Sequence, residues 1–112
     1  GLPGDLSSAS RFVRAAFVKL NSVAGNSENE SVSQFFHILG AVEQTRGCAR
    51  MPDGSYEITV YTSCINLDKG IYYDTTYESR GISAVDLHRC DLDGAGLYLY
   101  PLEKTLQIVR QN

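Results

Sequence analysis

The chain has 112 residues, 43% of them apolar and 21% charged, and a formal charge of −3. That is the length and composition of a single soluble domain, 1–112. No apolar run is long enough to span a membrane, and phosphate-backbone binding, which needs a basic patch, is not expected. A domain of this length buries about two-thirds of its unfolded surface, so a core is expected. The opening GLPGDLSS has neither the basic nor the apolar region of a secretory signal and reads as loop.

The first helix is expected over residues 5–23. Ser7 suits its N-cap, because a hydroxyl there accepts from a free amide of the first turn. Phe12, Ala16 and Leu20 form an apolar stripe edged by Val13 and Phe17. Gly25-Asn26 would stop it, and the polar GNSENES connects it to a second helix over 30–44. There Val32, Phe35, Phe36, Leu39 and Val42 recur at helical spacing, which predicts a helical hairpin.

Beyond the turn at Pro52-Asp53-Gly54 the period changes to two. YEITVYTSCI and IYYDTTYES alternate around NLDKG and predict a long β-hairpin, with Tyr61, Ile65 and Tyr72 sharing the face opposite Cys64. A third strand is expected over 82–87, and two more over 97–100 and 106–109. The expected fold class is α+β, a helical hairpin followed by antiparallel strands, with the helices on one face of the sheet.

Few residues advertise chemistry. Cys48, Cys64 and Cys90 form no C-x-x-C pair, so neither a disulfide framework nor a zinc site is expected, and a reducing, cytoplasmic setting fits. His37 and His88 read as solvated or core-edge side chains. Asp91 and Asp93 lack the rest of a calcium loop. No metal or cofactor is implied. Arg11 is the misfit. With Ser7 as cap it takes the fourth helical position, where a cation loses about 0.3–1 kcal/mol against the helix dipole. Its bland reading is a rim residue whose stem covers Phe12. Its functional reading is a fixed donor fork for a carboxylate or an anionic nucleophile. Arg14, one turn on, can share that face or pair with an acid such as Asp5.

The run GLPGDLSSASRFVRAAF resembles the choloylglycine hydrolases, the family of bile salt hydrolases and penicillin V acylases. SVSQFFHILGAVEQTRG, YTSCINLDKGIYYDTTYES, ISAVDLHRCDLDG and LYLYPL continue the resemblance in the order of the C-terminal part of bile salt hydrolases. The resemblance implies an N-terminal nucleophile hydrolase, an αββα sandwich of which this chain is a C-terminal fragment. In that family an N-terminal cysteine attacks the amide joining a bile acid to glycine or taurine, its own α-amino group serving as base. It further implies a conjugated bile salt as small-molecule partner, no cofactor or metal, no nucleic acid or membrane partner, and a bacterial cytoplasmic homo-oligomer, a tetramer, at full length. Arg11 in Ser10-Arg11-Phe12 matches a catalytic arginine of the family, with Asp5, Ser10 and Arg14 as support near the site. The nucleophile and the family's other catalytic positions have no counterpart here, so the chain alone is expected to be inactive. The competing readings are a penicillin V acylase and a non-enzymatic α+β binding module.

Overall fold

The computed structural model describes all residues, 1–112, and divides into two compact units, Gly1–Thr59 and Val60–Asn112. Both belong to an α+β chain: two helices, then a three-stranded antiparallel sheet of order β1-β2-β3.

In the first unit, α1 spans Ser8–Asn21 and α2 spans Glu28–Gly40. Ser7 caps α1 as expected, its hydroxyl accepting from the Ser10 N–H at 3.3 Å. The helix ends four residues before Gly25. Asn21 Nδ2 and the Ser22 hydroxyl bond back to the carbonyls of Phe17 (2.8 Å) and Lys19 (3.0 Å), which satisfies the last turn locally. Ser27 and Glu30 form a reciprocal capping box that starts α2. The side chain of Glu30 folds back over the cap into space that a Cβ on Gly25 would occupy. The second helix stops at Gly40 rather than at Gln44. Beyond it the bonds tighten to three-residue turns, Ala41 to Ile38 (3.3 Å) and Val42 to Leu39 (3.1 Å), and the chain then leaves for another partner.

That partner is Thr59, at the mouth of an irregular hairpin whose tip is the expected turn. Glu57 bonds to Ala49 at 2.9 Å, Arg50 bridges Tyr56, and Met51 bonds to Ser55 at 2.8 Å. Residues 56–60 are therefore not the start of β1: Tyr56 pairs backward with Arg50 and is not available to the sheet.

The second unit carries β1 (Tyr61–Asn66), β2 (Ile71–Thr76) and β3 (Ser83–Asp86). Asn66 shapes the turn between the first two, its side chain accepting from the N–H groups of Asp68 and Lys69, both at 3.1 Å. Gly70 completes it at φ +67°, a left-handed conformation that favours glycine. Cys64 lies opposite Tyr73, and Ile65 opposite Tyr72. Tyr61, Ile65 and Tyr72 thus share one face, as the alternation predicts, with Tyr61 and Ile65 exposed.

Two further expectations fail. Residues 97–100 and 106–109 form no strand and are exposed, because an extended segment becomes a strand only beside a second one. The expected core is also missing: no apolar side chain is buried, and the stripe of α1 points outward, with Phe12 74% and Leu20 80% exposed. The inward side of that helix is small or polar instead: Ser10 is buried, while Arg11, Arg14, Ala15 and Val18 are half-buried.

Candidate active site

The start of α1 gathers the residues singled out from the sequence. The carboxylate of Asp5 accepts from the Ser7 N–H at 2.8 Å and from the Ser10 hydroxyl at 2.7 Å. Ser10 is the one buried residue of α1, and its hydroxyl reaches out to the exposed Asp5 carboxylate. The Ser7 and Ser10 side chains, the Ser7 N–H and the charge of Arg14 hold the Asp5 carboxyl down to about 2. Arg14 reaches the main chain of the same turn: its Nη1 donates to the carbonyls of Asp5 (2.7 Å) and Pro3 (3.0 Å). It therefore fixes the approach of residues 3–5 to the helix, and supports Asp5 through its backbone as well as through charge.

Arg11 follows a different path. Its main-chain N–H closes the first turn on the Ser7 carbonyl at 2.9 Å. Its guanidinium leaves α1 and donates through Nε (3.0 Å) and Nη2 (2.9 Å) to the carbonyl of Val42, just past the end of α2. Val42 lies just past the C-terminal end of α2, an end that carries partial negative charge and favours a cation. The two bonds to one oxygen fix the plane of the fork, and the Nη1 edge takes part in neither. Such a half-buried, oriented cation can stabilise a neighbouring carboxylate, oxyanion or thiolate.

The groups that hold this arginine do not stand out in the sequence. Val42 acts through its carbonyl, which any residue possesses. Gln44 is only 5% exposed, and its side-chain Oε1 has no hydrogen-bond partner. Thr59 binds the main chain of Gln44 on both sides. An amide and a hydroxyl in a turn-rich stretch carry no signal by spacing alone.

Other reactive types stand apart. All three cysteines are free thiols, and burial pushes the thiol of Cys64 up. No group of three or more His, Cys, Asp or Glu side chains is placed to hold a metal ion. No helix is long and apolar enough to cross a membrane.

Comparison with known proteins converges on one family. Residues 1–100 match the linear amide C–N hydrolases of the choloylglycine hydrolase family. The bile salt hydrolase/transferase of Lactiplantibacillus plantarum is 54% identical over 112 residues, covering 100% of this chain and 35% of that protein. The bile salt hydrolase/transferase of Clostridium perfringens is 42% identical over 112 residues, 34% of its length. A crystal structure of a mutant conjugated bile acid hydrolase from Clostridium perfringens superposes with a TM-score of 0.86 at 41% identity, over 100% of this chain and 34% of that one. Penicillin V acylase from Agrobacterium tumefaciens shares the fold, with a TM-score of 0.67 over 82% of this chain and 29% of that one, at 21% identity. The chain spans about a third of the length of the curated relatives it matches. With a family match over nearly its whole length and relatives of this identity from end to end, the chain belongs to the choloylglycine hydrolase family.

Proposed function

We propose that this chain is the C-terminal part of a bile salt hydrolase, which cleaves the amide between a bile acid and glycine or taurine. The observation that carries this reading is identity of 54% to a bile salt hydrolase/transferase across all 112 residues. In the proposed reaction a cysteine at the N-terminus of the longer protein gives its thiol proton to its own α-amino group. The thiolate adds to the amide carbon, the amine leaves with a proton, and water then cleaves the thioester to release the bile acid. Arg11 is the catalytic residue that this chain contributes. Its fixed positive charge lies close to the nucleophile and favours thiolate over thiol. Asp5, Ser10 and Arg14 hold the first turn of the helix that carries it. The chemistry calls on no metal or organic cofactor. The same reading makes the longer protein a bacterial cytoplasmic tetramer.

The chain alone is expected to leave glycocholate and taurocholate intact, and the addition of an N-terminal part beginning with the cysteine is expected to restore hydrolysis. Turnover by the chain alone would overturn the reading. Penicillin V assayed beside the two bile salts separates the penicillin V acylase alternative, which predicts the opposite preference. A stand-alone α+β binding module is the remaining alternative. The exposed apolar side chains of α1 and of 97–109 predict instead that the isolated chain self-associates. A monomer with a cooperative melt in sedimentation and calorimetry would favour the module.

A further inference from the structure

The aim of the Arg11 fork depends on a carbonyl that no helix holds. Val42 lies two residues beyond α2, and the bond following it, from Glu43 to Gly40, is long at 3.4 Å. What fixes the chain immediately beyond is a clasp between Gln44 and Thr59. The Gln44 N–H donates to Thr59 Oγ1 at 2.8 Å, and the Thr59 N–H donates to the Gln44 carbonyl at 3.2 Å. Gln44 is buried and Thr59 half-buried, so water does not readily replace either bond. The hairpin behind the clasp is closed independently at Ala49, Arg50 and Met51, which gives Thr59 a rigid mount. The Val42 carbonyl is thus stretched between the last turn of α2 and the clasp, and Arg11 takes its position from that carbonyl.

We propose that Thr59 is a positioning residue for Arg11: its hydroxyl, acting through the Gln44 main chain, sets the Val42 carbonyl and with it the plane of the guanidinium. The geometry stands by itself, and its consequence for catalysis rests on the proposed function. A valine at position 59 would keep the branched shape and lose the acceptor, leaving the Gln44 N–H buried and unpaired. A serine would keep the acceptor.

The test is made in the full-length hydrolase that carries this chain, with Thr59→Val and Thr59→Ser. In the crystal structure of Thr59→Val, the Arg11 Nε and Nη2 bonds to the Val42 carbonyl are expected to be lost or split between conformers, and in Thr59→Ser both are expected to persist. In Thr59→Val, kcat is expected to fall about tenfold to a hundredfold, the range for a slightly misplaced catalytic group, with a far smaller change in KM. The acid limb of its pH–rate profile is expected to move upward, because a loosened cation favours the thiolate less, and Thr59→Ser is expected to restore it. Thr59→Ala removes the same acceptor and takes the place of valine if the valine variant does not fold. Both Arg11 bonds intact in the valine or alanine variant would overturn the proposal. Lost bonds with unchanged kinetics and pH profile would uphold the clasp and instead remove Arg11 from the catalytic set.

Discussion

Residues 5–14 and residues 97–109 are both short and both carry several apolar side chains, but they complete their interactions in opposite ways. The first is closed by partners two to eleven positions away, Asp5 with Ser7 and Ser10, Arg14 with Asp5 and Pro3, and by one longer reach from Arg11 to Val42. The second is tied down at isolated points. Tyr98 accepts from the Asp91 N–H at 2.9 Å, and the Thr76 hydroxyl donates to the Glu103 carbonyl at 2.7 Å. Leu97, Leu99, Ile108 and Val109 meanwhile remain largely exposed. Polar side chains at the right local spacing satisfy a helix start from within. Extended apolar runs need a second surface, and nothing in their own sequence supplies one.

The largest effect is expected where that missing surface matters. In the isolated chain, Leu99→Ala should change stability by less than about 0.5 kcal/mol, as at other exposed positions. In the longer hydrolase proposed above, where a second surface is expected to cover the segment, the same change should cost about 2–5 kcal/mol. Paired urea melts measure both, and equal small values in the two proteins would break the contrast. Next is the tie itself. Thr76 accepts from the Ser79 N–H at 3.0 Å while donating to Glu103, and Ser79 is 2% exposed. Thr76→Val should therefore cost about 1–3 kcal/mol, the penalty for a buried donor left unpaired, and the amides around Glu103 should exchange faster with solvent. At the other region, Ser7→Ala removes the cap of α1 and should cost about 1 kcal/mol.

The smallest effect is a titration. The carboxyl of Asp5 is held at about 2, below the ordinary aspartate value of about 3.9. Its contribution is complete above the unfolded value and is lost as pH falls through the folded one. The Ser7 and Ser10 amide signals should therefore shift as pH falls below about 3, with a midpoint near 2, and stay constant from pH 5 to 7. A midpoint near 4 would mean that the Asp5 bonds do not persist in solution.

The same contrast explains what the sequence alone discloses. Ser7 before a helical stripe and NLDKG between alternating runs are local signals, and each produces the element it predicts, whereas the capping box of Ser27 and Glu30 starts α2 inside the stretch that reads as a polar connector. The strands expected at 97–100 and 106–109 do not form, because alternation says only that a segment suits a sheet. Tyr56 shows the same limit: its pattern continues that of Tyr61, yet it pairs with Arg50. Arg11 stands out as a cation at the wrong end of a helix, but its destination does not. A carbonyl at Val42, held beside a clasp at Thr59, leaves no trace in residue type.

The role proposed for Arg11 is that of the catalytic group this chain brings to a longer hydrolase. Steady-state hydrolysis of glycocholate and taurocholate by full-length Arg11→Ala tests it most directly. In that enzyme kcat/KM is expected to fall by about two to three orders of magnitude, as for removal of one preorganised charge-stabilising donor. Wild-type rates from a correctly folded Arg11→Ala enzyme would contradict it, and would leave Arg11 as a structural link between the start of α1 and the end of α2.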